Sequence, residues 1–244
     1  MNPFNLQGKT ILVTGASSGI GRQVALSVTE SGGKVVITGR DPQRLNETYN
    51  RLTGGGHQKI ISDLTDDMHV DALIEQLPQL NGAVFSAGIT THMPVKFIRK
   101  KDISQIFGIN YESIVLTTSY LLKKKKLLDN SSLLFLSSVV TRFTYFGGAL
   151  YTGTKAAIES YSKVLALELA PKRIRSNCLS PTFVNTPMVE GAGKTISQEV
   201  LERYEKMSPL GFGEPADVAN AAVFFLSDAS KWITGANLVM GAIV

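Results

Sequence analysis

Tyr151 and Lys155 stand four positions apart in the stretch GALYTGTKAA, a spacing that on a helix stacks both side chains on one face. A phenol beside an ammonium is suited to proton transfer. A free phenol, with a pKa of about 10, seldom ionises at neutral pH, and a cation one turn away favours the phenolate. Changing the oxidation state of a carbonyl carbon by hydride transfer requires a proton to move at its oxygen. Ser138, thirteen positions before Tyr151 at the end of the apolar run SLLFLSS, adds a hydroxyl that could hold such an oxygen. The bland alternative is a tyrosine packed on a sheet, a lysine in solvent and a serine at a strand end. Y-x-x-x-K alone is a weak signal, and the chain contains a second instance, Tyr120 with Lys124 in YLLKK, whose position thirteen residues upstream is Phe107. Only the first has the serine.

These residues need elements to position them. Short apolar runs, KTILVT, KVVITG, QKIIS, GAVFSAG, SLLFLSS and RSNCLS, alternate with helix-patterned segments, a rhythm that predicts a parallel sheet with crossover helices. Ile20, Val24, Ala25 and Val28 fall at helical spacing, and Asp41 before Pro42 reads as an N-cap and first helical residue of a helix running to the glycines at 54–56. Long helices are expected over about 98–128 and 150–169. Residues 187–213 break the rhythm with Pro, Gly, Met and charge around the patch SQEVLERYEKM; a substrate lid is the expected use of such an insertion. EPADVANAAVFFLSD then forms an amphipathic helix and ANLVMG a last strand. The prediction is α/β: a single domain over 1–244 with a doubly wound, Rossmann-like parallel sheet and helices on both faces.

TGASSGIG, residues 14–21, joins the first strand to the first helix. Gly15, Gly19 and Gly21 permit a tight turn and close backbone approach to a pyrophosphate resting on the helix N-terminus, while Ser17 and Ser18 offer hydroxyls beside Ile20. The second strand ends in VVITGRD, with Gly39 where a carboxylate for a ribose 2′-hydroxyl is expected, followed by Arg40. A cation there suits a 2′-phosphate, so NADP(H) is the expected cofactor. Asp41 could be a displaced carboxylate, but its capping place already explains it. With a dinucleotide present, the positive oxidised nicotinamide helps Lys155 bring Tyr151 towards working pH.

The 244-residue chain is 43% hydrophobic, carries a formal charge of +5 and has one cysteine, Cys178, between apolar positions. No intramolecular disulfide is possible, and a mild basic excess calls for no nucleic acid. The run Lys123–Lys126 is expected to close a long helix. No signal peptide or membrane span is apparent, so a soluble, cytoplasmic protein without a metal site is expected.

TGASSGIG, the Ser138, Tyr151 and Lys155 set, and the tail GEPADVANAAVFFLSDASKWITG together resemble the short-chain dehydrogenase/reductase family over nearly the whole chain, with closest general resemblance to 3-oxoacyl-carrier-protein reductases. The resemblance implies that Tyr151 is the general acid/base, that Lys155 binds the nicotinamide ribose, that Ser138 orients substrate and that Asn110 holds a relay water. It implies adenine contacts for Asp63 and Leu64, although Asp63 could equally cap the next helix. Ala87 and Gly88 are expected to border the cofactor, and Val184 and Thr186 to contact the nicotinamide amide. It also implies a homodimer or homotetramer packed through the two long helices. Three departures stand out: Ser86 in FSAG replaces an asparagine, Thr182 replaces the glycine after Pro181, and VMGAIV lacks an acidic-Gly-Gly ending.

The expected activity is NADPH-dependent reduction of a ketone, with a 3-oxoacyl thioester as one candidate and a sugar, steroid or polyketide ketone as others. Acyl carrier protein is a candidate partner, attracted by Lys123–Lys126. Phe143, Phe146, Phe183, Met93 and Met188 are candidates for an apolar substrate pocket or for core. The competing class is an NADP-binding sensor or scaffold without turnover.

Overall fold

The computed structural model describes residues 2–192, 205 and 208–241. Its strands are β1 (Thr10–Thr14), β2 (Lys34–Gly39), β3 (Gln58–Ile61), β4 (Leu80–Phe85), β5 (Leu127–Leu136), β6 (Arg175–Pro181) and β7 (Asn237–Met240). All pair in parallel in the order β3-β2-β1-β4-β5-β6-β7. Between them run α1 (Gly19–Glu30), α2 (Pro42–Tyr49), α3 (Asp67–Gln76), α4 (Lys100–Phe107), α5 (Ser113–Lys123), α6 (Ala149–Glu168), α7 (Pro187–Ala192) and α8 (Pro215–Leu226).

Side-chain alternation along the buried strands builds two cores. Ile11 and Val13 of β1 face Val24, Ala25 and Val28 of α1 and Ala219, Ala222 and Phe225 of α8. Leu12, between them, faces the opposite layer with Val70 and Leu73 of α3, Ile114 and Leu121 of α5 and Ile158 of α6. The strand order reverses direction between β1 and β4. Ligands of such sheets bind in the crevice beyond the carboxyl ends of the strands at that switch point.

Two element boundaries differ from the sequence expectation. The segment 98–128 is α4, a π-helical turn Gly108–Glu112 and α5, which ends at Lys123. Lys125 then takes a left-handed φ of 51°, and Leu127 already belongs to β5. Apolar residues at its start could serve strand or helix equally well, so pattern alone does not locate the boundary. Helix α2 stops at Tyr49, before the glycine triplet. Its Asp41 cap forms as expected, accepting from Arg44 N at 3.0 Å. Within the expected lid at 187–213, Pro187–Ala192 forms α7, while residues 193–204, 206 and 207, including nearly all of SQEVLERYEKM, lie outside the described residues. No described helix is long and apolar enough to cross a membrane.

Candidate active site

The turn between β1 and α1 lines a crevice of about 700 Å³ with Gly15, Ser17, Ser18, Gly19 and Ile20. Gly15 and Gly19 take left-handed φ values of 65° and 54°, where a side chain is strained. A Cβ on Gly15 would also come within 2.7 Å of the Ala87 backbone. Gly21 does not line the crevice; it is buried, and a Cβ there would strike the Gly15 carbonyl, so it closes the turn instead. The turn is tied down by Ala16 N donating to Thr38 O at 3.1 Å, by Thr48 Oγ1 donating to Ala16 O at 2.9 Å and by Arg22 Nη2 donating to Ser17 O at 2.6 Å. Ser18 is the N-cap of α1, yet its hydroxyl makes no capping bond. A glycine-floored cradle at a helix N-terminus with an unspent hydroxyl fits a dinucleotide pyrophosphate.

Farther along the crevice lie Gly39, Arg40, Asp41, Arg44, Asp63, Leu64 and Thr65. Asp41 is occupied: it caps α2 and its Oδ2 lies 3.3 Å from Arg44 Nε. The exposed Arg40 stands beside it. Asp63 does not cap α3; Asp66 does, accepting from Met68 N and His69 N. Asp63 Oδ1 instead accepts from the hydroxyl and backbone N–H of Thr65 at 2.7 and 3.0 Å. Burial pushes this carboxyl up, but the Thr65 bonds and the Arg40 charge outweigh it, leaving the pKa below the usual range.

Across the crevice, Thr186 is buried and sits 3.4 Å from where a Gly19 Cβ would be. Thr186, Pro187 and Met188 line that side. Val184 does not; it is buried in the core and bridges to Gly213. At the switch point Ser86, Ala87 and Gly88 border the crevice. Thr14 Oγ1 accepts from Ser86 N and Ala87 N at 3.2 and 3.4 Å, bracing β1 against β4 where Ser86 departs from the expected asparagine.

Gly88 connects this crevice to Asn110 and Lys155. Its absent Cβ would lie 3.2 Å from Asn110 Oδ1 and 3.8 Å from Lys155 Nζ. Asn110, fully buried in the π-helical turn, donates from Nδ2 to Ile89 O at 2.8 Å and Thr154 Oγ1 at 3.2 Å. Its Oδ1 accepts from Ile89 N at 2.8 Å. Both N–H donors are therefore spent, and one Oδ1 lone pair remains. Such π-helical turns recur at functional sites because they re-aim one side chain out of helical register.

Lys155 is buried, donates to Leu136 O at 2.6 Å, and holds Nζ 5.6 Å from the centre of the Tyr151 ring. Burial pushes the Tyr151 phenol up to about 12, against the opposing effect of a hydrogen bond with Ser138. Burial likewise brings the Lys155 ammonium down to about 8, with the Cys178 thiol acting the other way. In the protein alone both groups are driven towards their neutral forms. Ser138 is buried at the end of β5, its Oγ accepting from Val140 N at 3.4 Å.

The second Tyr-x-x-x-Lys pair has a different fate. Tyr120 donates to Asp67 Oδ1 at 2.6 Å, and this bond holds its phenol above the usual range. Lys124 lies 2.6 Å from Asp71 Oδ1 and also pairs with Glu75. Lys126 donates to Leu77 O at 2.7 Å, so two of the four clustered lysines hold the α5–β5 turn against α3.

Of the apolar candidates, Phe143 and Phe146 are exposed, Met188 lines the crevice, Phe183 stacks on Phe212 at 5.1 Å, and Met93 N donates to Gly147 O at 2.8 Å. Sequence reasoning missed Thr154, whose Oγ1 donates to Tyr151 O at 2.8 Å while accepting from Asn110. It also missed Arg44 and Thr65. No local pattern distinguishes these from ordinary helix and turn residues.

The sequence family described as enoyl-(acyl carrier protein) reductase matches residues 15–242. An uncharacterised oxidoreductase of Methylorubrum extorquens is 32% identical over 238 residues, covering 94% of this chain and 95% of its own length. The 3-oxoacyl-[acyl-carrier-protein] reductase FabG of Aquifex aeolicus is 30% identical over 240 residues, covering 95% of each chain. A short-chain type dehydrogenase/reductase from Mycobacterium ulcerans superimposes with a TM-score of 0.87 at 26% identity, over 96% of this chain and 89% of that one.

Proposed function

The chain belongs to the short-chain dehydrogenase/reductase family, and from that premise we propose that it reduces a ketone to an alcohol with NADPH as the reductant. The observation that carries this reading is the convergence of Lys155 Nζ and Asn110 Oδ1 on Gly88, which joins the acid/base residues to the dinucleotide-shaped crevice. Gly15, Ser17, Ser18, Gly19 and Ile20 hold the pyrophosphate, Asp63 and Leu64 the adenine, and Arg40 the 2′-phosphate. Reduced nicotinamide, when bound, supplies the hydride.

Ser138 donates a hydrogen bond to the substrate carbonyl oxygen and holds it beside the phenol. Tyr151 transfers its proton to that oxygen as the carbon is reduced, and the Lys155 ammonium stabilises the phenolate left behind. The remaining Asn110 lone pair holds a water that returns a proton to the site.

A 3-oxoacyl thioester is the substrate we favour, because a relative 30% identical over nearly all of both chains is named as such a reductase. Acyl carrier protein as partner rests on that same relative, since Lys124 and Lys126 are held within the chain. Exposed Leu116 on α5 and Val164 and Leu167 on α6 support a homo-oligomer packed through these helices.

The test is NADPH consumption with a panel of 3-oxoacyl thioesters and sugar, steroid and polyketide ketones. The wild type is expected to turn over at least one, and Tyr151→Phe to lose about 100-fold or more in kcat while still binding NADPH. Equal rates in the two proteins would remove Tyr151 from the mechanism. Tight NADPH binding with no turnover of any ketone would leave the non-catalytic sensor or scaffold.

A further inference from the structure

Two turns beyond Tyr151 and one beyond Lys155, on the same face of α6, stands Glu159. Its Oε1 accepts from Ser137 Oγ at 2.7 Å and Thr141 Oγ1 at 2.9 Å, and Ser180 Oγ lies 3.2 Å away, shared with Asn237 Oδ1 at 2.7 Å. One carboxylate oxygen thus gathers hydroxyls from the end of β5, from the short 3-10 turn Val139–Thr141 that follows it, and from β6. Among the described residues Glu159 takes part in no ion pair, and the partners of this half-buried carboxylate are hydroxyls. An acceptor-only group meeting converging O–H donors forms charge-assisted bonds, which are shorter and stronger than neutral ones.

Ser137 and Thr141 bracket Ser138 in sequence. Ser137 N also donates to Leu179 O at 2.8 Å, and Thr141 Oγ1 lies 3.2 Å from Ser138 O. Both ends of the Ser138 turn are therefore fastened, through one carboxylate, to the helix that carries the phenol and the ammonium. We propose that Glu159 is a positioning residue: it fixes the Ser138 hydroxyl relative to Tyr151 by clasping the Ser137–Thr141 turn onto α6. This rests on the reading of Ser138 and Tyr151 as the groups that meet the carbonyl oxygen. Misplacing a reacting group by about 1 Å can cost about 100-fold in rate, so the clasp acts on kcat. The cofactor crevice is lined by other residues, so affinity for NADPH is left alone.

The experiment compares Glu159→Leu, Glu159→Gln and Thr141→Val with the wild type and with Tyr151→Phe, measuring kcat, KM and NADPH affinity. Glu159→Leu is expected to lower kcat by about 10- to 100-fold with NADPH affinity within about twofold. Glu159→Gln, which keeps an acceptor oxygen, restores most of that kcat, and Thr141→Val lowers it by a few-fold. The inference is overturned if folded Glu159→Leu keeps wild-type kcat, if Glu159→Gln is as impaired as Glu159→Leu, or if NADPH affinity falls in step with kcat. Should Glu159→Leu not fold, a wild-type kcat in the isosteric Thr141→Val overturns it equally. Full turnover in Tyr151→Phe would instead sink the underlying reading; an inactive Tyr151→Phe beside an unimpaired Glu159→Leu would sink only the clasp.

Discussion

Lys155 keeps its ammonium 5.6 Å from the centre of the Tyr151 ring while donating to the carbonyl of Leu136 at 2.6 Å. The same burial that holds the pair in place opposes the charge on each. In the proposed mechanism the favourable pairing of ammonium with phenolate therefore arises during the reaction, while burial opposes it in the resting protein.

Stability without cofactor should carry the imprint of Lys155. Its pKa falls from the ordinary 10.5 to about 8 on folding, so the unfolded chain binds more protons between those values and stability rises with pH there. The Tyr151 contribution has the opposite sign: its pKa rises from 10.0 to about 12, so the stability it lends is present below pH 10 and lost towards 12. In Lys155→Met the rise between pH 8 and 10 disappears. Melting temperatures of the two proteins across that range should converge or cross by several degrees as pH increases; parallel curves would show that Lys155 is not buried as described.

Cofactor choice should turn on Arg40. Replacing it with alanine removes a charge-assisted contact to a 2′-phosphate, for which a loss of about tenfold in NADPH affinity is expected at an exposed position. NADH affinity should change by less than about twofold. Titration of both nucleotides checks this, and an equal change in the two would place the 2′-phosphate elsewhere.

Gly15→Ala tests the floor of the crevice. A left-handed alanine costs about 1–2 kcal/mol, and its methyl would press to within 2.7 Å of the Ala87 backbone. The turn must shift away from β4, so NADPH binding should weaken by at least about tenfold with a lower Tm. Calorimetric titration showing wild-type affinity would exclude close backbone approach at this turn.

The second Tyr-x-x-x-Lys pair provides an internal control. Tyr120 and Lys124 spend their polar atoms on Asp67, Asp71 and Glu75, bonds largely exposed to solvent, where screening leaves them little weight in stability. Tyr120→Phe and Lys124→Met should leave kcat and KM within about twofold, with at most a small fall in Tm. A large kinetic effect from either would mean that the wrong pair has been assigned.

Much of this protein is written in local pattern. Alternating apolar runs and 3.6-residue periodicities specify strands and helices one segment at a time, and glycines between β1 and α1 mark a turn that only they can make. The spacing of Tyr151 and Lys155 puts both on one helical face wherever that helix goes. The end of α5 is less legible: Leu127 and Leu128 suit either a helix or a strand, and only the pairing of Leu127 with Leu80 of β4 starts β5 there. Asn110 reads as a polar residue in an apolar helix until the π-helical turn aims it at Ile89 and Thr154. Glu159 likewise reads as one more surface charge, because Ser137, Thr141 and Ser180 come within reach only after β5, β6 and α6 have packed. Local spacing determines which groups share an element, whereas the partners of a buried polar atom depend on contacts among distant segments, and those exist only in the folded sheet.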